Sequence, residues 1–506
     1  MIARRLLPAL VLLAGFLPAQ FTLSVRDGVL GRSVDLAVTG PPGTRFLLFT
    51  STRPGPIPLA LVDPGDPRSL AVGLDLLCCL MNGFILGSGR VAYGLAVPPD
   101  PALLGAALRF QALAYPGVTP RLFGPMSHPR GIHVWSPAAF EPLATSLPYP
   151  RIFTQGVVLP GGRLFCAGGG TGAMLALISG RQTWFFDPVG RGIVQGPTMT
   201  VERGLHTADL LRDGRVLLAC GVNYLNDPLD TVEVYDPAKN TCTAIKGKTS
   251  HKRSGHTSAL LGDGRVLLAG GLSDMNGQLQ ALGSIVDSTD LFDPAADTIT
   301  PGPTMAEPRA AHFCLPLPDG RFLLGGGASW RWVVILKVPY LSAATEIYDP
   351  KTNKLTPGPS MGTVRGFASA IELRDGRFLV VGGASGNLAQ LGAPTASCEI
   401  YDPKQNRFTA TGSLQQARAL AVLALLHDGR VIAAGGSRGD LLNPVSLTTS
   451  EIYDPVKGTW SPGPNLPSGR AGCLRAELPD DTVTLFGGVS AGPSGSAQNS
   501  MEVFHP

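Results

Sequence analysis

One pattern recurs seven times between residue 151 and the end of the chain, and it demands a ring or stack of like units instead of a single layered core. Each copy opens on an arginine, at Arg151, Arg203, Arg253, Arg309, Arg365, Arg418 and Arg470, with steps of 50 to 56 residues. An apolar run such as Thr207 to Leu211 then reaches Asp213-Gly214, and a second run, Val216 to Ala219, ends near Gly221. After a loop of changing length comes Val232-Glu233-Val234-Tyr235-Asp236-Pro237, repeated as Thr345 to Pro350 and Ser450 to Pro455. A fourth run closes the unit. Four short strands per copy predict an all-β blade, and seven copies predict a seven-bladed β-propeller.

The punctuation has physical reasons. A two-residue Asp-Gly turn places its glycine at positive φ, which glycine adopts without steric cost. Paired glycines such as Gly270-Gly271, Gly382-Gly383 and Gly435-Gly436 remove side chains where inner strands crowd at an axis. Pro-Gly-Pro at 301–303, 357–359 and 462–464 ends the outer strand. The last copy runs out at Met501 to Pro506 with three strands. A segment at about 139–148, beginning Phe140-Glu141-Pro142, is expected to supply the fourth, so that the two ends close the ring and leave no open edge.

These residues resemble the kelch family and, more narrowly, the propeller of galactose oxidase and glyoxal oxidase; Arg365-Gly366-Phe367 leading to Arg374-Asp375-Gly376-Arg377-Phe378 and Gly382-Gly383 is particularly close. The resemblance covers residues 131–506. In those oxidases it implies a copper site with a Cys crosslinked to Tyr, a Tyr-His pair and a final His from a following domain. This chain has Ile152-Phe153-Thr154-Gln155 where the Cys is expected, Ala311-His312 where the Tyr-His pair is expected, and no sequence beyond Pro506 to carry the final His. Three departures make copper-radical chemistry unexpected, and no cofactor is expected. An oxidase or sugar-active enzyme with a non-standard metal site remains the alternative to a binding protein.

Arg4 and Arg5 precede an apolar run from Leu6 to Leu17, and residues 1–20 therefore read as an export signal. The run is too short to span a bilayer, and no later stretch resembles a membrane helix, so a secreted or periplasmic protein is expected. Net charge is 41 − 37 = +4, falling to +2 without Arg4 and Arg5; with no basic stripe, nucleic acid is not an expected partner. Residues 21–130 alternate apolar and polar at Ser33 to Val38, Arg45 to Phe49, Val91 to Val97 and Leu108 to Tyr115, which predicts a small β-sandwich followed by a proline-rich linker at 116–135.

Strand polarity brings the opening arginines, the residues just after them and the second-to-third-strand loops to one face. Variable loops on a rigid scaffold are where binding concentrates. His206, His256 and His312 share one repeat position and form a possible metal set; the default reading is structural bonding to a neighbouring blade, since Thr154, Ala368, Ala421 and Cys473 break the ring. His128, His251, His427 and His505 are scattered and expected to be exposed. Arg203, Arg253, Arg309, Arg365, Arg418 and Arg470 are candidates for gripping carboxylates or sulfated sugars, with cross-blade pairing as the default. Asp209, Glu372 and Glu477 lie on inner strands at unequal offsets, against a designed catalytic pair. In the fourth copy, Trp330, Trp332 and Tyr340 sit in a loop that could stack on a sugar or anchor a protein partner, or else fold over the propeller as a lid or pack on the N-terminal sandwich.

Overall fold

The structure is a computed structural model. It describes residues 139–505 apart from 174–175, 189–190, 387–391, 427, 440–444, 479–481 and 491–495, together with the backbone of strands between residues 22 and 133. The chain divides into two units, 1–135 and 136–506, so the second begins at Ser136 and not at the expected 131.

In the first unit, Thr22–Arg26, Ser33–Thr39 and Arg90–Ala96 form an antiparallel three-stranded sheet. Cys78–Phe84, Arg45–Ser51, Ala107–Ala114 and Arg130–His133 form a four-stranded one. Arg130–His133 is thus a strand where a linker was expected. The leader at 1–20 and the stacking of these sheets into a sandwich fall outside the described residues.

The second unit is a seven-bladed β-propeller, each blade an antiparallel four-stranded sheet. Blade 2 is typical: inner strand Thr207–Leu210, second Val216–Ala219, third Leu229–Asp236, outer Thr241–Arg253. The inner strands of blades 1 and 3 to 7 begin at Gln155, Thr257, Phe313, Ser369, Val422 and Leu474. Blade 7 is a composite of Leu474–Glu477, Val483–Phe486, Met501–His505 and, from the start of the unit, Ala139–Pro142. There Phe140 lies opposite Phe504 and Glu141 opposite Val503.

An apolar layer fills the space between neighbouring blades. Leu217, Ala219, Val232, Val266, Leu268 and Phe292 form it between blades 2 and 3. Leu164, Trp184, Phe186, Leu474, Phe486 and Met501 form it between blades 1 and 7. The second strands are covered on both faces, which is why Val216–Ala219 and Val266–Ala269 read as unbroken apolar runs.

The turn after each inner strand differs from the two-residue form. The Leu211 amide donates to Arg215 O and the Gly214 amide to Leu211 O, so residues 212–214 make a three-residue loop with Gly214 at φ 87°. Asp213 caps it by accepting from the Arg215 amide.

Backbone bonds stitch the blades at the opposite end. The amides of Gly169, Gly221, Gly271, Gly327, Gly383, Gly436 and Gly488 donate to the carbonyls of Arg203, Arg253, Arg309, Arg365, Arg418, Arg470 and Arg151, at 2.6–2.9 Å. A Cβ on Gly327 would lie 2.7 Å from Ala310 O, so this close approach admits only glycine.

Candidate interaction face

Each opening arginine spends its side chain inside its own blade. Arg365 is typical: Nη1 donates to Gly382 O at 2.8 Å and Ser397 O at 2.7 Å, and Nη2 donates to Glu399 Oε1 at 2.8 Å. Glu399 also accepts from the Gly362 amide at 2.7 Å. Equivalent pairs join Arg203 to Glu233, Arg253 to Asp290, Arg309 to Glu346, Arg418 to Glu451 and Arg470 to Glu502. All six arginines are buried. They are therefore not ligand-gripping residues, and their partner is the third strand of the same blade, not a neighbouring one. Blade 1 departs from the rule. Trp184 occupies the place of the acid, opposite Cys166 as Glu233 is opposite Leu218, and Arg151 bonds Gln182 Oε1 at 2.7 Å.

The residues two positions after these arginines line the axis. Phe153, Leu205, Gly255, Ala311, Phe367, Leu420 and Gly472 all have φ between 52° and 61°. Amides of Gly255, Ala311, Phe367 and Leu420 each donate to the carbonyl of the preceding blade's equivalent, as Phe153 does to Gly472. This backbone hoop tightens the mouth of a cavity of about 330 Å³ lined by Phe153, Gln155, Leu205, His206, His256 and Cys314, among others.

The three histidines are buried beneath the hoop. His256 Nε2 meets Thr207 Oγ1 of the preceding blade at 3.2 Å, and His312 Nε2 meets Thr257 Oγ1 at 2.8 Å. Gln155 replaces that threonine in blade 1, and neither ring nitrogen of His206 has a hydrogen-bond partner. Burial holds His206 and His312 down to about 3 and His256 well below its ordinary value, with neighbouring arginines adding to the effect. All three are neutral imidazoles at pH 7. Among the described residues, no three His, Cys, Asp or Glu side chains group to hold a metal ion. Of the scattered histidines, His251 is exposed, whereas His505 is buried on the third strand of blade 7; His128 and His427 lie outside the described residues.

Asp209 stands half-buried on the inner strand of blade 2. Its Oδ2 has no partner, and burial pushes its pKa up to about 6 against a bond from Ser258. The folded state thus holds this proton more tightly than the unfolded chain, so stability falls as pH rises from about 4 to 6. Asp209→Asn is expected to gain about 2 kcal/mol at pH 7.5, shrinking toward zero below pH 4. The buried histidines pull the opposite way in acid, so the readout is the difference between variant and wild type in chemical denaturation at each pH. A constant difference across pH 4–8 would contradict this assignment. Glu372 and Glu477 lie in other blades on exposed strand ends, and Glu477 pairs with Arg475.

What remains exposed is in the loops. Ile178 of blade 1 and Tyr224 and Leu225 of blade 2 present apolar side chains to solvent, and the Leu177 amide donates to Asn226 Oδ1 at 3.3 Å, joining the two loops. Composition drew no attention to these residues; the available signal was Tyr224-Leu225 in a short turn, where polar residues are the rule. The blade 4 loop is a hairpin, Ala328–Val333 paired with Leu336–Leu341. Trp330 packs at its base with Ile285, Leu282 and Leu341, and its Nε1 donates to Ile285 O at 2.9 Å. Trp332 meets Trp330 edge-on, 5.7 Å between centroids. Lys337 Nζ lies 3.8 Å over the Trp330 ring, and the Arg331 guanidinium 5.5 Å from Tyr340. The base thus packs on the neighbouring loop while the tip stands in solvent, which is not the arrangement of a lid.

A kelch motif model matches residues 421–467, which span the four strands of blade 6. The chain is similar to spermatocyte protein spe-26 of Caenorhabditis elegans, 32% identical over 121 residues, which is 24% of this chain and 20% of that protein. It is also similar to Kelch-like protein 36 of Bos taurus, 29% identical over 126 residues, 25% of this chain and 20% of that protein. The matched region thus spans about a fifth of the length of these curated relatives. Among solved structures, a fungal alcohol oxidase of the AA5 family in complex with copper aligns over 72% of this chain and 76% of its own, at TM-score 0.56 and 17% identity. At that identity the likeness is one of fold.

Proposed function

We propose that this kelch-repeat β-propeller is an exported binding protein that captures a protein partner on the second-to-third-strand loop face. The observation that carries this reading is the pair of joined loops presenting Ile178, Tyr224 and Leu225 to solvent. Apolar and aromatic side chains exposed together on a rigid scaffold are the usual anchors of protein interfaces. The repeat's own polar residues support it indirectly, because the arginines and two of the three histidines are already bonded within the ring. The kelch-like relatives favour a protein over a carbohydrate. So does Trp330, one face of whose ring Lys337 already covers. An export signal at 1–20 sets the meeting place outside the cytoplasm.

Crosslinking the tagged protein in its source cells, identifying the captured partner and measuring its affinity with purified components tests this. Tyr224→Ser with Leu225→Ser is expected to weaken that affinity at least about tenfold and to leave the melting temperature unchanged. An identified partner that binds the variant as tightly as wild type would remove these loops from the interface.

A further inference from the structure

The tip of the blade 4 hairpin has no role in folding that its neighbours reveal. Trp332, Val333, Val334, Ile335 and Leu336 are five consecutive exposed apolar residues, with Val334 at 92% and Ile335 at 81% exposure. Val334 is the first of two turn residues and sits at φ 57°, a conformation that favours glycine and strains a β-branched side chain. The turn thus combines strain with exposure on the propeller, which points to a binding role.

The side chains are ordered in layers along the finger. Val333, Val334, Ile335 and Leu336 form an apolar cap. Behind it lies a band of aromatic rings and cations: Trp332 opposite Lys337, Trp330 opposite Pro339, Arg331 beside Tyr340. Lys337 is held in that band by Gly283 O at 2.7 Å and by the face of Trp330. Residues 328–344 contain these two cations and no Asp or Glu. The apolar cap extends two residues beyond the Trp332 level, about 7 Å at strand rise, which matches the depth to which interfacial segments bury apolar side chains. An apolar end, an aromatic belt and flanking cations in this sequence is the order of chemistry met on crossing from lipid acyl chains to anionic headgroups. A protein groove imposes no such order.

We infer that this hairpin is a lipid-inserting finger that docks the protein on an anionic lipid surface, a property beyond the partner binding proposed above. The test uses the full chain with vesicles of phosphatidylcholine alone or with 30% phosphatidylglycerol. Wild type is expected to co-sediment with the anionic vesicles, with a blue shift of tryptophan emission. Val334→Asn with Ile335→Gly removes the cap and installs a favoured hairpin turn, so folding is retained while vesicle partitioning falls at least about tenfold. Arg331→Gln and Lys337→Gln are each expected to cost about fivefold on anionic vesicles and little on neutral ones. Absence of wild-type binding to either vesicle, or binding undiminished in the cap variant, overturns the inference. So does a cap variant that loses a protein partner while wild type ignores lipid, which would seat the hairpin in a protein groove. Because Tyr224 and Leu225 both lie on blade 2, their variant tests partner capture separately from this one.

Discussion

Replacing Arg365 with Met is expected to cost about 3–5 kcal/mol, measured as the shift in denaturation midpoint multiplied by the slope of unfolding free energy with denaturant. The guanidinium is fully buried and Glu399 nearly so. Without Arg365, the carboxylate keeps only the amides of Gly362 and Thr363, the Gly382 carbonyl loses the guanidinium donor, and the Ser397 carbonyl keeps only the Gly382 amide. An uncompensated buried charge is costly, whereas two well-packed apolar residues in the same place are often tolerated. The double variant Arg365→Met with Glu399→Leu should therefore recover part of the loss. A single variant that loses less than about 1 kcal/mol would mean the pair behaves as an exposed one, contrary to its position. The same experiment at Arg151 should show a smaller effect, since blade 1 has Trp184 where the acid stands elsewhere and Arg151 bonds a neutral Gln182.

The larger expected loss follows deletion of residues 501–506. This strand is the third of blade 7, so its removal strips the partner from both Val483–Phe486 and Ala139–Pro142. Met501, Val503 and Phe504 are buried, and at roughly 1.5–3 kcal/mol for each side chain their loss alone approaches the whole stability of an ordinary domain. Phe140 also loses the Phe504 ring, 4.6 Å away, and Arg470 loses Glu502. The deleted protein is expected to show no cooperative melt or to be recovered only as aggregate, through two newly exposed strand edges. A truncated protein that melts within a few degrees of wild type would show that the blades are held by their apolar layers without this closure.

Much of the site was open to a closer reading of the sequence. Every copy with a buried arginine pair has an acid at the matching position of its third strand: Glu233, Asp290, Glu346, Glu399, Glu451 or Glu502, 30 to 37 residues after the arginine. The copy lacking that acid is the one whose arginine pairs differently. That correlation between copies is visible in the letters and marks the arginines as internal. The histidines carry a similar signal, since Thr207 and Thr257 stand one blade before His256 and His312 while Gln155 stands before His206. The exposed loops carried less. Trp330 and Trp332 are two residues apart and alike in type, yet one packs on Ile285 and the other projects into solvent.

What the sequence by itself determined is the blade and the number of blades. Those depend on turns, on strand alternation and on glycines whose requirement is local or limited to the adjoining strand, and a repeat states such rules seven times over. What only the tertiary structure decided is where each long side chain goes once the ring has closed. Arginine is compatible with a ligand surface and with a buried pair, and the choice rests on whether an acid and two carbonyls converge on it from strands some 30 residues away. The exposure of the blade 4 tip was decided in the same way, because a hairpin's own pairing sets its register but not which neighbours come to cover it.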